Sequence, residues 1–270
     1  MPKSESLRGL ERGLQVLDAL RTNPISSLHE LHLATGISKP SLLRVLHTLE
    51  RFGLVSRRLG DGRYRASTDL TRIPKKQARY ERVAEAAAPV LDHLCQKISW
   101  PSDLMVPAGD HMLIAETSQM QTPFLIRAGG IGRSVNWLMT AVGRAYLAYC
   151  PDREREGVLR RLRKSGRPED RLAHETKRFE KILAETRKRG YALRDSGYVG
   201  GFYGTSPRDD GLAAIALPLL DRKSVHGAIN ILWVKTAFSI EDFASRYLGD
   251  LQAAAYEIVS SLHQAPSQTR

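Results

Sequence analysis

Residues Ser27 to Arg65 constrain this chain more than any other segment: two short amphipathic helices, a glycine turn and a basic hairpin follow one another within about forty residues. That order predicts a winged helix-turn-helix, a module that binds DNA. Leu28, Leu31, Leu33 and Ala34 have the spacing of one helical stripe, and Gly36 ends the first helix. Ile37 points inward and Ser38 is placed to cap the second helix. Pro40 falls in its first turn, where a missing backbone N–H leaves nothing unpaired. Leu42, Val45, Leu46 and Leu49 then form a buried stripe, leaving Lys39, Ser41, Leu43, Arg44, His47 and Thr48 as candidates to face a DNA groove.

Downstream, Leu54-Val55-Ser56 begins a strand, Asp61-Gly62 supplies a tight hairpin turn, and Tyr64 begins the return strand. Arg57, Arg58, Arg63, Arg65 and Arg72 decorate or follow the hairpin, where each neutralised phosphate releases counterions and strengthens binding. Charge follows the same division. Met1 to Tyr80 carries 15 Lys and Arg against 7 Asp and Glu, so two thirds of the net charge of +12 lies on less than a third of the chain. That is the electrostatic footprint of a nucleic-acid-binding module.

A length of 270 residues is too great for one winged helix and suits two domains. The boundary falls near Ser67 to Ala78, giving a DNA-binding domain over 1–72, a connecting helix over 73–97 and a second domain over 98–265. Leu10, Leu14, Leu17 and Leu20 predict a further amphipathic helix that packs on the helix-turn-helix or on a partner subunit. In the second domain, strands are expected at Leu104–Pro107, Met112–Thr117, Phe124–Ala128, Tyr191–Arg194, Leu212–Leu219 and Gly227–Val234. Helices are expected at Ala141–Cys150, Asp152–Lys164, His174–Gly190 and Asp242–Leu262. Strands, helices, strands and a helix make an α+β domain on an antiparallel sheet.

Enzyme chemistry finds little support. Cys150 stands among apolar neighbours as an inert thiol would; His29 with His32, and His93 with Cys95, lack the further ligands of a metal site. Gly129 to Ser134 has neither the lysine nor the spacing of a phosphate loop, and no Gly-x-Gly-x-x-Gly follows a strand. No catalytic residue, metal or cofactor is therefore expected. Met1 to Leu7 has no apolar core of a signal peptide, no stretch approaches the roughly 20 apolar residues of a membrane span, and the two cysteines suit a reducing compartment, so the expected location is the cytoplasm.

With these segments placed, the chain resembles the IclR family of bacterial transcription regulators over almost its full length. The resemblance is carried by Arg8-Gly9-Leu10-Glu11-Arg12-Gly13-Leu14, Thr35-Gly36-Ile37-Ser38-Lys39, Leu43-Arg44-Val45-Leu46 and Leu49 to Val55, then by Thr140-Ala141-Val142-Gly143-Arg144-Ala145 and Ile215-Ala216-Leu217-Pro218. It implies an N-terminal winged helix-turn-helix and a C-terminal GAF-like effector domain, in a dimer or tetramer that binds a double-stranded operator and works with RNA polymerase. Pro40 stands where the family usually has serine, which shifts the contacts expected there to Ser41 and Arg44.

Within the family, Ile98-Ser99-Trp100-Pro101-Ser102-Asp103 and Asn230-Ile231-Leu232-Trp233-Val234 look most like the activators of hydroxyphenylpropionate and related aromatic catabolism. That likeness implies a small aromatic acid as effector; a repressor sensing a short keto acid and a DNA binder without ligand are the alternatives. By position the effector site would include Phe124, Ile126, Ala141, Val142, Leu212, Ala214, Asn230 and Leu232. Trp100 and Trp137 are candidates to stack on an aromatic ligand, and Arg127 with Gly129-Gly130-Ile131-Gly132 to receive its carboxylate.

Overall fold

A computed structural model describes residues 7–67, 75–124, 126, 129–200, 209–222 and 224–264. The chain divides into two compact units after Glu85. In the first, helices α1 (Arg8–Thr22), α2 (Leu28–Thr35) and α3 (Lys39–Arg51) precede a small sheet of β1 (Ile25–Ser26), β2 (Val55–Arg57) and β3 (Tyr64–Ala66), in the order β1-β3-β2. Ser27 starts α2 with a capping box: Glu30 N–H donates to its hydroxyl at 3.2 Å, and its own N–H donates to the Glu30 carboxylate at 2.6 Å. Gly36 ends α2 at φ 68°, a left-handed conformation suited to a residue without Cβ.

Val16, Leu20, Leu31, Ile37, Leu42, Leu46, Leu49, Val55, Tyr64 and Ala66 form the core of this unit. It differs from the expected stripes in a regular way. Leu10 and Leu14 are exposed on α1, where Gly13, Val16 and Leu20 are buried; on α2, Leu33 and Ala34 are exposed and Leu31 is the buried residue. In each helix the apolar residues exceed what three short helices and a three-stranded sheet can cover. The wing loop is also longer than a two-residue turn: Arg58 N–H donates to Arg63 O at 2.7 Å and Gly62 N–H to Arg58 O at 3.0 Å, so Arg58 to Arg63 forms the connection.

Helix α4 (Lys75–Ile98) carries the chain into the second unit. There β4 (Ser102–Ala108), β5 (His111–Thr117), β6 (Ser134–Val135), β7 (Ala192–Leu193), β8 (Leu212–Asp221) and β9 (Ser224–Val234) build an antiparallel sheet in the order β6-β5-β4-β9-β8-β7. The strand expected over Phe124–Ala128 is not formed by the described residues: Phe124 lies in a bend, Ile126 is outside any strand, and 125, 127 and 128 lie outside the described residues. Ser134 and Val135 pair with β5 instead. A 3-10 segment over Pro168–His174, which the sequence pattern did not suggest, precedes α7.

Helices α5 (Ala141–Tyr149), α6 (Asp152–Arg163) and α7 (Thr176–Arg189) share a core with Met105, Ala214, Ala216, Ala228 and Leu232 from one face of the sheet. Trp233, of opposite parity on β9, stacks on Phe243 of α8 (Ile240–Gln264) with centroids 3.8 Å apart. Both faces of β8 and β9 are thus covered, which is why these strands read as nearly continuous apolar runs. Among the described residues, no helix is long and apolar enough to cross a membrane.

Candidate functional site

The first unit presents α3 as a two-faced helix. Leu42, Leu46 and Leu49 are buried, while Lys39, Leu43, Arg44, His47 and Thr48 are exposed and Ser41 is half-buried. Ser38 occupies the N-cap position but its hydroxyl donates to Ser41 Oγ at 3.1 Å instead of closing the cap. Lys39, Leu43 and Arg44 fall on the first two turns of the second helix of a helix-turn-helix, the part that enters a major groove in this motif, with His47 and Thr48 one turn further on.

The wing arginines divide. Arg57 is exposed, its Nε donating to Gly62 O at 3.2 Å and its guanidinium lying 5.9 Å from the Tyr64 ring centroid. Arg58 and Arg65 are buried, at 8% and 3% exposure. Arg58 sits 3.5 Å from Asp61, and Arg65 donates to Ser56 Oγ at 3.0 Å and Glu81 Oε2 at 3.4 Å. Arg63 pairs with Glu30, fastening the wing to the start of α2. Backbone N–H donation from Ser27, the Arg63 guanidinium and the Ser27 hydroxyl hold the Glu30 carboxyl at about 2. The expectation that Arg58 and Arg65 lie on a phosphate-facing surface is therefore corrected: their guanidinium groups stabilise the wing from within. Arg72 lies outside the described residues.

In the second unit the segment before α5 is fixed by Asn136. Its side-chain carbonyl accepts from Leu138 N at 2.7 Å and Met139 N at 2.8 Å, its amide donates to Asp170 at 2.8 Å, and Thr140 Oγ donates to Asn136 O at 2.6 Å. Arg144 Nε donates to Leu138 O at 2.7 Å while its Nη2 pairs with Asp195. Gly143 passes so close to this segment that a Cβ there would stand 2.6 Å from the Trp137 carbonyl carbon, and closer still to its oxygen. The Thr140 to Ala145 string thus has a packing reason for its glycine and a hydrogen-bonding reason for its arginine.

This segment closes one side of a small cavity of about 40 Å³ lined by Ala141, Val142, Ala214, Asn230 and Leu232, together with Asp103, Arg194, Tyr198 and Asp210. An adjoining cleft of about 380 Å³ shares Arg194, Tyr198 and Ala214 and includes Leu212 and Phe238. Five of the eight positions expected to meet an effector therefore line one cavity, and Leu212 lines its neighbour. Phe124 and Ile126 do not fit: Phe124 stacks on Trp100 at 4.4 Å, and Ile126 is buried away from both cavities. Trp100 also packs edge-on against Phe243, and Trp137 is fully buried against Tyr146, so both tryptophans belong to the core. Gly129, Gly130 and Gly132 line neither cavity, and Arg127 lies outside the described residues.

Asn230 apart, the polar lining is what the sequence did not reveal. Asp103 and Asn230 are paired across β4 and β9. Asn230 Oδ1 accepts from Asp103 N–H at 2.8 Å, and Gln119 Nε2 donates to the Asp103 carboxyl at 3.0 Å. Burial pushes the Asp103 carboxyl up from the usual carboxylate range. On the other wall Arg194 Nη2 donates to both oxygens of Asp210 at 2.7 and 2.8 Å. Asp103 is far in sequence from Arg194 and Asp210, and each of the three taken alone reads as an ordinary surface charge.

Cys150 is buried, and desolvation raises its thiol to about 12, the state of an inert side chain. His32 Nδ1 lies 2.8 Å from Ile37 O in the turn between α2 and α3. Among the described residues no group of three His, Cys, Asp or Glu is placed to hold a metal.

Comparison with known proteins joins these two units. Residues 9–59 match the IclR helix-turn-helix domain, and residues 76–260 match the bacterial transcriptional regulator IclR C-terminal domain. The chain is similar to the probable transcriptional regulator SauR of Cupriavidus necator, 25% identical over 93% of this chain and 95% of that one. It is also similar to the HTH-type transcriptional regulator KipR of Bacillus subtilis, 26% identical over 55% and 59% of the two chains. In fold it resembles the Thermotoga maritima IclR, with a TM-score of 0.52, 22% identity and coverage of 95% and 99%. It likewise resembles an IclR homolog from Microbacterium hydrocarbonoxydans solved with 4-hydroxybenzoate, with a TM-score of 0.50, 18% identity and coverage of 95% and 100%. A helix-turn-helix with an exposed basic helix and an α+β unit with a small cavity, each matched by its own family model, make this chain a member of the IclR family of DNA-binding transcriptional regulators.

Proposed function

We propose that this regulator senses a small aromatic acid of the phenylpropionate type and controls a catabolic operon, as an activator working with RNA polymerase in the cytoplasm. The cavity beside α5 carries this proposal. Its lining of Ala141, Val142, Ala214 and Leu232, with a few placed polar groups, has the composition of a small-molecule site. The ring of such an acid suits the adjoining cleft, where Leu212 and Phe238 offer apolar contact. The Microbacterium hydrocarbonoxydans homolog, solved with 4-hydroxybenzoate, supports the aromatic class. A homodimer, or a dimer of dimers, would set two α3 helices on a pseudo-palindromic operator. Lys39, Ser41, Leu43, Arg44, His47 and Thr48 face the bases and adjacent phosphates, and Arg57 lies along the backbone.

One observation favours a second reading. The cavity of about 40 Å³ has room for about three waters, which suits a short keto acid, sensed by a repressor, without any widening. A thermal-shift panel of phenylpropionates, cinnamates, benzoates and keto acids separates the two, since a ligand that binds only the folded state raises its melting temperature. A rise with an aromatic acid supports the first reading. A response confined to keto acids replaces it with the second, and silence across the panel refutes both.

A further inference from the structure

The proposed sensor cavity has two polar walls, and they differ in what they offer an anion. On the sheet wall, Asp103 is fully buried beside Asn230. Asn230 spends its carbonyl on the Asp103 N–H, and its amide nitrogen lies 3.5 Å from the Asp103 carboxyl. A ligand carboxylate placed here would meet another carboxyl group and amide hydrogens already directed at it.

The opposite wall is Arg194. Its side chain is 8% exposed, and its hydrogen bonds among the described residues all leave from one nitrogen: Nη2 donates to Asp210 Oδ1, Asp210 Oδ2 and Tyr198 O at 2.7, 2.8 and 3.3 Å. The guanidinium lies 4.7 Å from the centroid of the Tyr198 ring, also part of the lining. Arg194 Nε is buried and has no hydrogen-bond partner among the described residues. A guanidinium holds a carboxylate best through two parallel N–H bonds, yet Asp210 approaches one nitrogen end-on. A buried N–H left unmade costs free energy that an incoming acceptor recovers.

We infer that Arg194 is the anion receptor of the effector cavity: the effector's carboxylate accepts from Arg194 Nε, and Asp210 is the internal acceptor that it displaces or shares. Arg194 belongs to the lining of both the smaller cavity and the wider cleft, so a carboxylate at this point can anchor a body lying in either space. The effector is therefore a carboxylate, held by its charged end at Arg194 and not at the Asn230 side of the sheet. Asp210 makes the site selective, because a neutral ligand has no charge with which to compete for the guanidinium.

This inference rests on the sensor proposal above, and its test separates the two. Binding of 3-phenylpropionate, 3-(4-hydroxyphenyl)propionate, pyruvate and the matching amides is measured by thermal shift and calorimetry on the full-length protein and on Arg194→Gln, Arg194→Lys and Asp210→Asn. The expected result is that an acid binds while its amide does not, that R194Q weakens the acid about tenfold or more, the scale of one charged hydrogen bond, that R194K recovers part of the loss, and that D210N binds more tightly than wild type. An acid and its amide binding equally, or R194Q binding with an unchanged Kd, overturns the role of Arg194 and leaves the sensor standing. Should R194Q not fold, D210N decides: unchanged or weaker acid binding overturns the inference. Silence of every compound with wild type refutes the sensor proposal and this inference with it.

Discussion

Replacing Gly143 by alanine places a methyl group 2.6 Å from the Trp137 carbonyl carbon and 2.8 Å from its Cα, both backbone atoms of a segment with little room to move. Trp137 and Leu138 are fully buried, and the segment is tied by the Asn136, Thr140 and Arg144 hydrogen bonds. Relief requires either a shift of α5 against its core or loss of the Arg144 bond to Leu138 O. Overpacking costs about 1–3 kcal/mol and the loss of a charged hydrogen bond about 1.5–3, so by either route the substitution should cost about 1–3 kcal/mol. At about 2–4 °C per kcal/mol for a unit of this size, the second unit should melt roughly 2–12 °C lower. Gly157 in α6 provides the matched control. There an added Cβ meets no atom closer than Arg161 Nη1 at 3.8 Å, so Gly157→Ala should gain about 0.5–1 kcal/mol from helix propensity. Differential scanning calorimetry of the three proteins reads both effects. A G143A transition within about 1 kcal/mol of wild type would refute the packing explanation of the Thr140 to Ala145 string.

The remaining predictions concern the first unit and the thiols. Arg44→Ala and Arg57→Ala should each lower operator affinity by about 1–3 kcal/mol or reduce its salt slope by about one, with ligand affinity intact, whereas Arg65→Ala should destabilise the wing; anisotropy with labelled operator and thermal melts distinguish the two, and equal DNA-specific losses from all three would contradict the burial of Arg65. Because the Glu30 carboxyl is lowered to about 2, its contribution to stability is complete above the ordinary value of 4.5 and is lost as pH falls from there toward 2. The stability gap between wild type and Glu30→Gln should therefore close over that window in urea titrations, and a gap independent of pH would count against the capping box and its Arg63 pairing. Cys95 and Cys150, both buried, should react with a thiol reagent at the rate of global or local unfolding; prompt native labelling of Cys150 would contradict its raised thiol.

Most of the architecture was legible because it depends on local pattern. The Gly36 and Gly190 stops, the helix over Ala141–Cys150 and the apolar runs of β8 and β9 are stated by neighbouring residues. What failed depends on partners distant in the chain. Leu33 carries the right spacing for burial, but periodicity shows which side of a helix is apolar and not how much cover a small unit provides. Arg58 and Arg65 read as surface cations because Asp61, Ser56 and Glu81 become their surroundings only when the wing folds back. In the cavity, Ala141, Val142, Ala214, Asn230 and Leu232 followed from the family resemblance, since the helix start and the two strands are shared features. Asp103, Arg194 and Asp210 escaped notice because strand register and chain crossing, not any motif, bring them to the same space. Phe124 was misplaced for the converse reason: an apolar run was assigned to a strand, while its ring found the Trp100 face.

The most direct test of the central claim, a DNA-binding regulator whose grip is set by a small acid, is operator affinity measured with and without ligand. Full-length protein would be titrated by fluorescence anisotropy against the DNA upstream of the operon it neighbours, at fixed salt, with and without the acid that raises its melting temperature. Sequence-specific binding is expected, with a change of about 5- to 150-fold on adding the acid, the range that coupling of 1–3 kcal/mol produces. Specific binding that is identical with and without an acid known to occupy the cavity would contradict the claim.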